Sequence, residues 1–213
     1  HEDGRENGRR DHNYEENDEE QHDSPDHKND DSPTLKETGQ KMVEYEDLEA
    51  DILRWCKENN SKWEDKDFPA DRYSLVLDIN NPPEEIREYL NAKWLRPEEI
   101  NPEACISLEA KPGGDMKQGA VGNCWFLGAL VQISTRPEYL ERLFVNVNEE
   151  HFKKKGFVCF QFFKNGEWKQ VFVDTRLPYD PESKQLLFGQ CGDSREFWVP
   201  LIEKAYAKLH GNY

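Results

Sequence analysis

Apolar residues are scarce over the first forty positions, where Tyr14 and Leu35 are the only large ones, and then begin to recur with a period. Val43, Leu48, Ile52, Leu53 and Cys56 fall at near-helical spacing up to the polar Asn59-Asn60-Ser61, which predicts an amphipathic helix. Residues 64–104 lose that pattern and are punctuated by Phe68-Pro69, Pro82-Pro83 and Arg96-Pro97. They read as an ordered covering segment anchored by Trp63, Phe68, Tyr73, Leu75 and Trp94, with Pro82-Pro83-Glu84-Glu85 able to start a short helix. From Cys124 to Ser134 the chain is apolar on most faces, the mark of a helix at the centre of a domain. Pro137 suits the first turn of another helix over 137–144, with Tyr139, Leu140, Leu143 and Phe144 on one side. The period then changes to two: residues 156–163 and 168–174 flank Lys164-Asn165-Gly166-Glu167. Asn-Gly between two β-rich runs predicts a hairpin, because a type I′ turn needs positive φ at both central residues. Trp198, Leu201, Ile202, Ala205 and Leu209 mark a last amphipathic helix, about 196–210, with Gly211 as its stop.

Charge sharpens the reading of the apolar-poor start. Residues 1–40 hold fourteen Asp or Glu against five Lys or Arg, too polar to bury surface against chain entropy, so a disordered acidic tail is expected. Its four histidines, His1, His12, His22 and His27, read as part of that solvated tail more readily than as a metal site. The formal net charge is −16, and with no basic stripe this argues against a nucleic-acid partner. No apolar run reaches membrane-spanning length, and the charged start is no secretory signal. The first residue is His, so the chain reads as a fragment or a processed piece. Five cysteines, an odd number without paired spacing, argue for reduced thiols in a cytoplasmic setting; no cysteine cluster suggests zinc.

Candidate chemistry centres on Gln118-Gly-Ala-Val-Gly-Asn-Cys124-Trp125. A thiol at a helix N-terminus meets free backbone N–H groups and the positive end of the helix dipole, which favour thiolate. The plain alternative is a small buried apolar cysteine. Gln118, six residues earlier, offers a side-chain amide that can join the Cys124 backbone N–H around a tetrahedral oxyanion; as a plain residue it caps or turns the chain.

Gln118-Gly-x-x-Gly-x-Cys124-Trp125-Phe-Leu resembles the catalytic cysteine motif of the calpains, calcium-dependent papain-like cysteine endopeptidases. Trp94-x-Arg96-Pro97-x-Glu-Ile100 is similar to the segment preceding the calpain core, and Gly166-Glu-Trp168-(x)5-Asp174-(x)2-Leu177-Pro178 to the family's hairpin and following turn. Glu196-Phe-Trp198-(x)2-Leu-Ile-Glu203-Lys-Ala-Tyr-Ala-Lys208-(x)2-Gly211-x-Tyr213 resembles the helix that closes the first catalytic subdomain. The resemblance implies a cysteine–histidine–asparagine triad, with Cys124 as nucleophile and Gln118 as oxyanion residue. The family's His and Asn lie downstream, in a second subdomain; His151 and His210 match neither and read as surface residues. Calpains carry Asp just before the cysteine where this chain has Asn123, which keeps much of the hydrogen bonding but not the charge. The resemblance also implies Ca²⁺, with side-chain ligands at Asp115 and Glu196, carbonyl ligands near Leu108 and Ala110, and Glu109 and Asp193 as possible additions. Apart from the family, Asp115 reads as a turn residue and Glu196 as a helix-start carboxylate. Trp125 and Trp198 read as core or shielding aromatics.

The fold expected is α+β: the mainly helical, cysteine-bearing first subdomain of a papain-like protease with a β-hairpin. It comprises an acidic tail over 1–40, a helical segment over 41–63 and a partial catalytic domain over 64–213. The resemblance implies calcium-dependent intracellular proteolysis of protein substrates, completed by a second subdomain. The rival is a calpain-like module that binds calcium or a partner without cleaving anything.

Overall fold

Helix α1 (Leu35–Asn59) begins before the boundary expected at Lys41 and ends at Asn60, whose φ of 46° suits a left-handed stop. The computed structural model describes residues 35–107, 115–122, 124–145 and 148–213, with side chains from residue 45 onward; the acidic stretch 1–34 lies outside them. Ile52 and Cys56 are the buried stripe of α1, packed on Phe157, Cys159 and Phe172. Next comes the covering segment. A 3₁₀ turn at Arg72–Ser74 is capped by Asp71, whose carboxylate accepts from the Tyr73 N–H at 2.9 Å. Helix α2 (Glu84–Arg87), strand β1 (Lys93–Leu95) and helix α3 (Pro97–Ile100) follow. Proline at the start of α3 and the Glu99 carboxylate accepting from the Arg96 N–H fix that short helix. Phe68 and Leu75 anchor the segment as expected, but Tyr73 does not: it is 66% exposed. The Asp71 cap sits at the turn that carries Tyr73, and Val76 and Ile86 occupy the inward places beside Leu75.

After β2 (Met116–Lys117) come α4 (Cys124–Ser134) and α5 (Pro137–Glu141). Sequence placed α4 at the centre of the domain, but only Phe126, Leu127 and Leu130 are buried; Cys124, Trp125, Gly128 and Val131 are exposed. Helix α5 stops three residues short of the predicted 144, with Leu140 inward and Tyr139 outward. A π-helical turn, His151–Lys155, leads to β3 (Phe157–Lys164) and β4 (Glu167–Asp174), paired without a slip from Phe157↔Asp174 to Lys164↔Glu167. Asn165 and Gly166 take φ of 55° and 80°, as the turn type demands. Lys164 also donates to the Leu209 carbonyl, and Glu167 pairs with Lys169. Strands β5 (Leu177–Asp180), β6 (Gln185–Leu186) and β7 (Gln190–Cys191) precede α6 (Trp198–His210).

The expected hairpin is joined, among the described residues, by two further small antiparallel sheets, β1-β5-β6 and β2-β7. Their strands are two to four residues long, too short to show alternation in sequence. Core packing centres on α6, where Trp198, Leu201, Ile202 and Ala205 are fully buried against Val158, Phe160 and Val173 of the hairpin and Leu130 of α4. The α+β character expected is thus present, as helices with small antiparallel sheets.

A buried ionic network ties the covering segment to α6. Lys204, with no exposed side-chain surface, donates to the Asp174 carboxylate at 2.7 Å and to the carbonyls of Asp174 and Arg176. Asp174 also accepts from Arg176 and from the Asp65 N–H, while Lys208 reaches the Asp65 carboxylate at 2.7 Å. Burial opposes ionisation of Asp174, but Lys204 and Arg176 outweigh it and hold its carboxyl down at about 2. Arg96 adds a second clamp, donating to Thr175 Oγ1, the Gly156 carbonyl and the Trp63 carbonyl.

Candidate active site

The loop before Cys124 is shaped by a close approach. Ala120 and Val121 donate to the carbonyls of Leu186 and Leu187 at 3.2 and 2.6 Å, so the loop is hung on the segment 186–188. A Cβ at Gly119 would sit 2.0 Å from the Phe188 oxygen and 2.3 Å from the Leu186 oxygen, so glycine alone permits this contact. The loop then folds back on itself: a Cβ at Gly122 would lie 3.2 Å from the Gln118 amide nitrogen. Gln118 and the start of α4 are thereby brought together, with the amide over the backbone two residues before the thiol. Asn123 lies outside the described residues.

Cys124 opens α4 and is exposed, unlike the other four cysteines. Burial pushes the thiols of Cys56, Cys105 and Cys159 up, and that of Cys191 up to about 12. Trp125 is 64% exposed, edge-on to Phe126 and Tyr206. A cavity of about 590 Å³ opens beside it, lined by Val121, Gly122, Trp125, Tyr206, His210 and Tyr213 among others.

The two histidines read as surface residues divide. His210 is exposed; its Nδ1 donates to the Tyr206 carbonyl, 2.9 Å away, and its ring lies against Tyr206. His151 is half-buried instead: it stacks on Phe157 at 4.8 Å and faces Asn148 and Glu49 at 3.1 and 3.4 Å. It belongs to the contact between α1 and the hairpin, in a different core cluster from α4.

For calcium, Leu108, Glu109 and Ala110 lie outside the described residues, and Asp115 and Glu196 lie within. The Asp115 carbonyl accepts from the Gly192 N–H at 2.5 Å, where β2 joins β7. The Glu196 carboxylate accepts from Ser107 Oγ at 3.0 Å, beside the bridge between Cys105 and Glu196. Ser107 and Asp115 are thus fastened to Glu196 and Gly192, four residues apart on one segment. The Asp115 and Glu196 carboxylates are hard oxygen donors of the type Ca²⁺ takes. Among the described residues no three of His, Cys, Asp and Glu cluster as a metal site. Asp193 is taken up by Arg195, whose guanidinium and backbone N–H hold its carboxyl at about 2.

Sequence reasoning missed the groups that hold the loop. Gly119 stood in the motif, but its contact with Leu186 and Phe188 crosses nearly seventy positions and leaves no local signal. Glu203 and Lys204 did leave one: two charged residues follow Leu201-Ile202 and precede Ala205 on a helix whose other neighbours are apolar, and both are buried.

Comparison with known proteins places this chain in a family. A model of the calpain family cysteine protease matches residues 63–213. A calpain of Schistosoma mansoni is 37% identical over 163 residues, 76% of this chain and 21% of that protein. Calpain-12 of Homo sapiens is 36% identical over 158 residues, 74% and 21% of the two chains. Calpain-A of Drosophila melanogaster is 35% identical over 173 residues, 80% and 19%. The chain spans about a fifth of the length of these curated relatives.

Proposed function

The chain belongs to the calpain family of cysteine proteases, and on that premise we propose that it carries the nucleophile half of a calcium-dependent cysteine endopeptidase acting on proteins in the cytoplasm. The observation that supports this most directly is the Gln118 amide lying over Gly122, beside an exposed thiol at the start of α4. In this reading the Cys124 sulfur adds to a peptide carbonyl carbon, and the carbonyl π pair moves onto oxygen. The Gln118 amide and the Cys124 backbone N–H receive that oxyanion. Its collapse expels the amine, which would take the proton that the thiol gave up to the triad's histidine, and leaves a thioester for water to hydrolyse.

The histidine and asparagine of the triad are assigned to a second subdomain outside these residues. The exposed side of α4, with Cys124, Trp125, Gly128 and Val131, supports a partner surface there, since an apolar helix face is seldom left to water. Asp115 and Glu196, with carbonyls of 108 and 110, would hold calcium, which would supply a cross-link between the loop before Gln118 and the start of α6. Among the described residues no helix is long and apolar enough to cross a membrane.

The test is casein hydrolysis by the full-length gene product with calcium. Cys124→Ala should abolish turnover, and Gln118→Ala should lower kcat by about 10²-fold. Turnover that survives Cys124→Ala overturns the assignment.

A further inference from the structure

We propose that Glu203 is a positioning residue for the oxyanion amide: its buried carboxylate holds the segment 186–189 on which the Gln118 loop is hung. The proposal rests on the reading of Gln118 given above. The connection is continuous. Glu203, on α6 and 6% exposed, accepts from the Gly189 N–H through Oε2 at 2.7 Å. Gly189 ends the stretch Leu186–Gly189, whose carbonyls at 186 and 187 receive the N–H groups of Ala120 and Val121. Those two residues lie between Gln118 and Gly122, the pair whose approach sets the amide over the backbone.

Gly189 is held from three sides. A Cβ there would sit 2.8 Å from Leu127 Cδ2 on α4, 2.9 Å from the Glu203 oxygen and 3.2 Å from Val199 Cγ1 on α6. One backbone position of the segment 186–189 thus packs close to both the nucleophile helix and the closing helix. A hydrogen bond from an amide to a carboxylate is stronger than one to a neutral oxygen, and in a site this dry it is poorly replaced by water. At Gly189 the Glu203 carboxylate accepts from the backbone N–H itself. What the carboxylate fixes is therefore a backbone path, and that path ends at Gln118.

Two probes separate positioning from mere stability in the full-length gene product. Iodoacetamide alkylates Cys124 without forming an oxyanion. A tripeptide aldehyde adds the thiol to its carbonyl, forming an S–C bond while the thiol proton passes to oxygen, and so reads the Gln118 amide. Glu203→Ala should weaken aldehyde binding by about tenfold while the alkylation rate stays within about twofold. Glu203→Gln keeps an acceptor oxygen and should recover most of the loss. Amide hydrogen exchange at Ala120 and Val121 should quicken in Glu203→Ala, and less so in Glu203→Gln. Unchanged aldehyde affinity, a parallel fall of both probes, or unchanged exchange at Ala120 and Val121 overturns the proposal. Should Glu203→Ala not fold, Glu203→Gln decides: faster exchange with a smaller aldehyde loss supports the proposal, and wild-type values in both overturn it. Gln118→Ala separates the two readings, because an unchanged aldehyde affinity there removes the oxyanion role itself, while exchange in the Glu203 variants still reports whether the loop is held.

Discussion

Among the five cysteines, exposure and helix position single out Cys124, and the burial that raises the others makes them slow nucleophiles. Iodoacetamide in limiting amount should therefore modify Cys124 well before Cys159, read by peptide mass spectrometry. Equal modification of both would show Cys124 to be a structural thiol. Gly119 carries a second expectation at this scale. Its added Cβ would meet backbone oxygens of 186 and 188, which have no rotamer to yield. Gly119→Ala should thus displace the loop and lower kcat of the full-length gene product like Gln118→Ala, whereas Gly128→Ala, with open space around it, should fold without strain. Wild-type kcat in Gly119→Ala would mean that the loop tolerates another path.

Elements set by local chemistry were legible in advance, and those set by distant contacts were not. Asn165-Gly166 announces its turn because only such residues take positive φ cheaply, and α6 announces itself by its apolar stripe. Tyr73 was misread because an aromatic in an irregular stretch can face either way, and Asp71 decided it. The short sheets and the Asp174–Lys204 network depend on partners tens of residues apart. That network gives a stability prediction. Asp174→Asn leaves Lys204 buried without its counter-charge and should cost about 3–5 kcal/mol at pH 7 in urea unfolding. The folded carboxyl is held at about 2, below its ordinary value of 3.8, so its contribution is complete above about pH 4 and is lost as pH falls towards about 2. The difference between wild type and variant should shrink through that window. Asp65 runs the other way, since burial raises its carboxyl; the Asp174 charge adds to that rise, so Asp174→Asn relieves part of it and Asp65 also enters the difference. A difference that stays constant from pH 7 to pH 2.5 would show that the pair is not ionic.

At the scale of the whole molecule, the function proposed above puts the nucleophile in this chain and the general base in a second subdomain. Residues 1–213 alone should therefore show no casein or peptide hydrolysis with calcium, and turnover that vanishes in Cys124→Ala would contradict this. Calcium itself acts on a larger loop. Ser107 is fastened at Glu196 and Asp115 at Gly192, so an ion held by Asp115 and Glu196 would join chain segments some eighty residues apart. Such an ion stabilises the native state by mass action, about 2.7 kcal/mol at a hundredfold excess over Kd, which for a chain of this size raises Tm by roughly 5–10 °C. Magnesium should do much less, because it demands a tight octahedral shell and keeps its waters. Because the same stretch leads through β2 to Gln118, the ion would also bias the oxyanion loop towards its working position. A calcium titration of thermal unfolding in wild type, Asp115→Ala and Glu196→Ala decides it. A wild type without a calcium-dependent shift, or two variants that keep the full shift, would place the ion elsewhere or remove it.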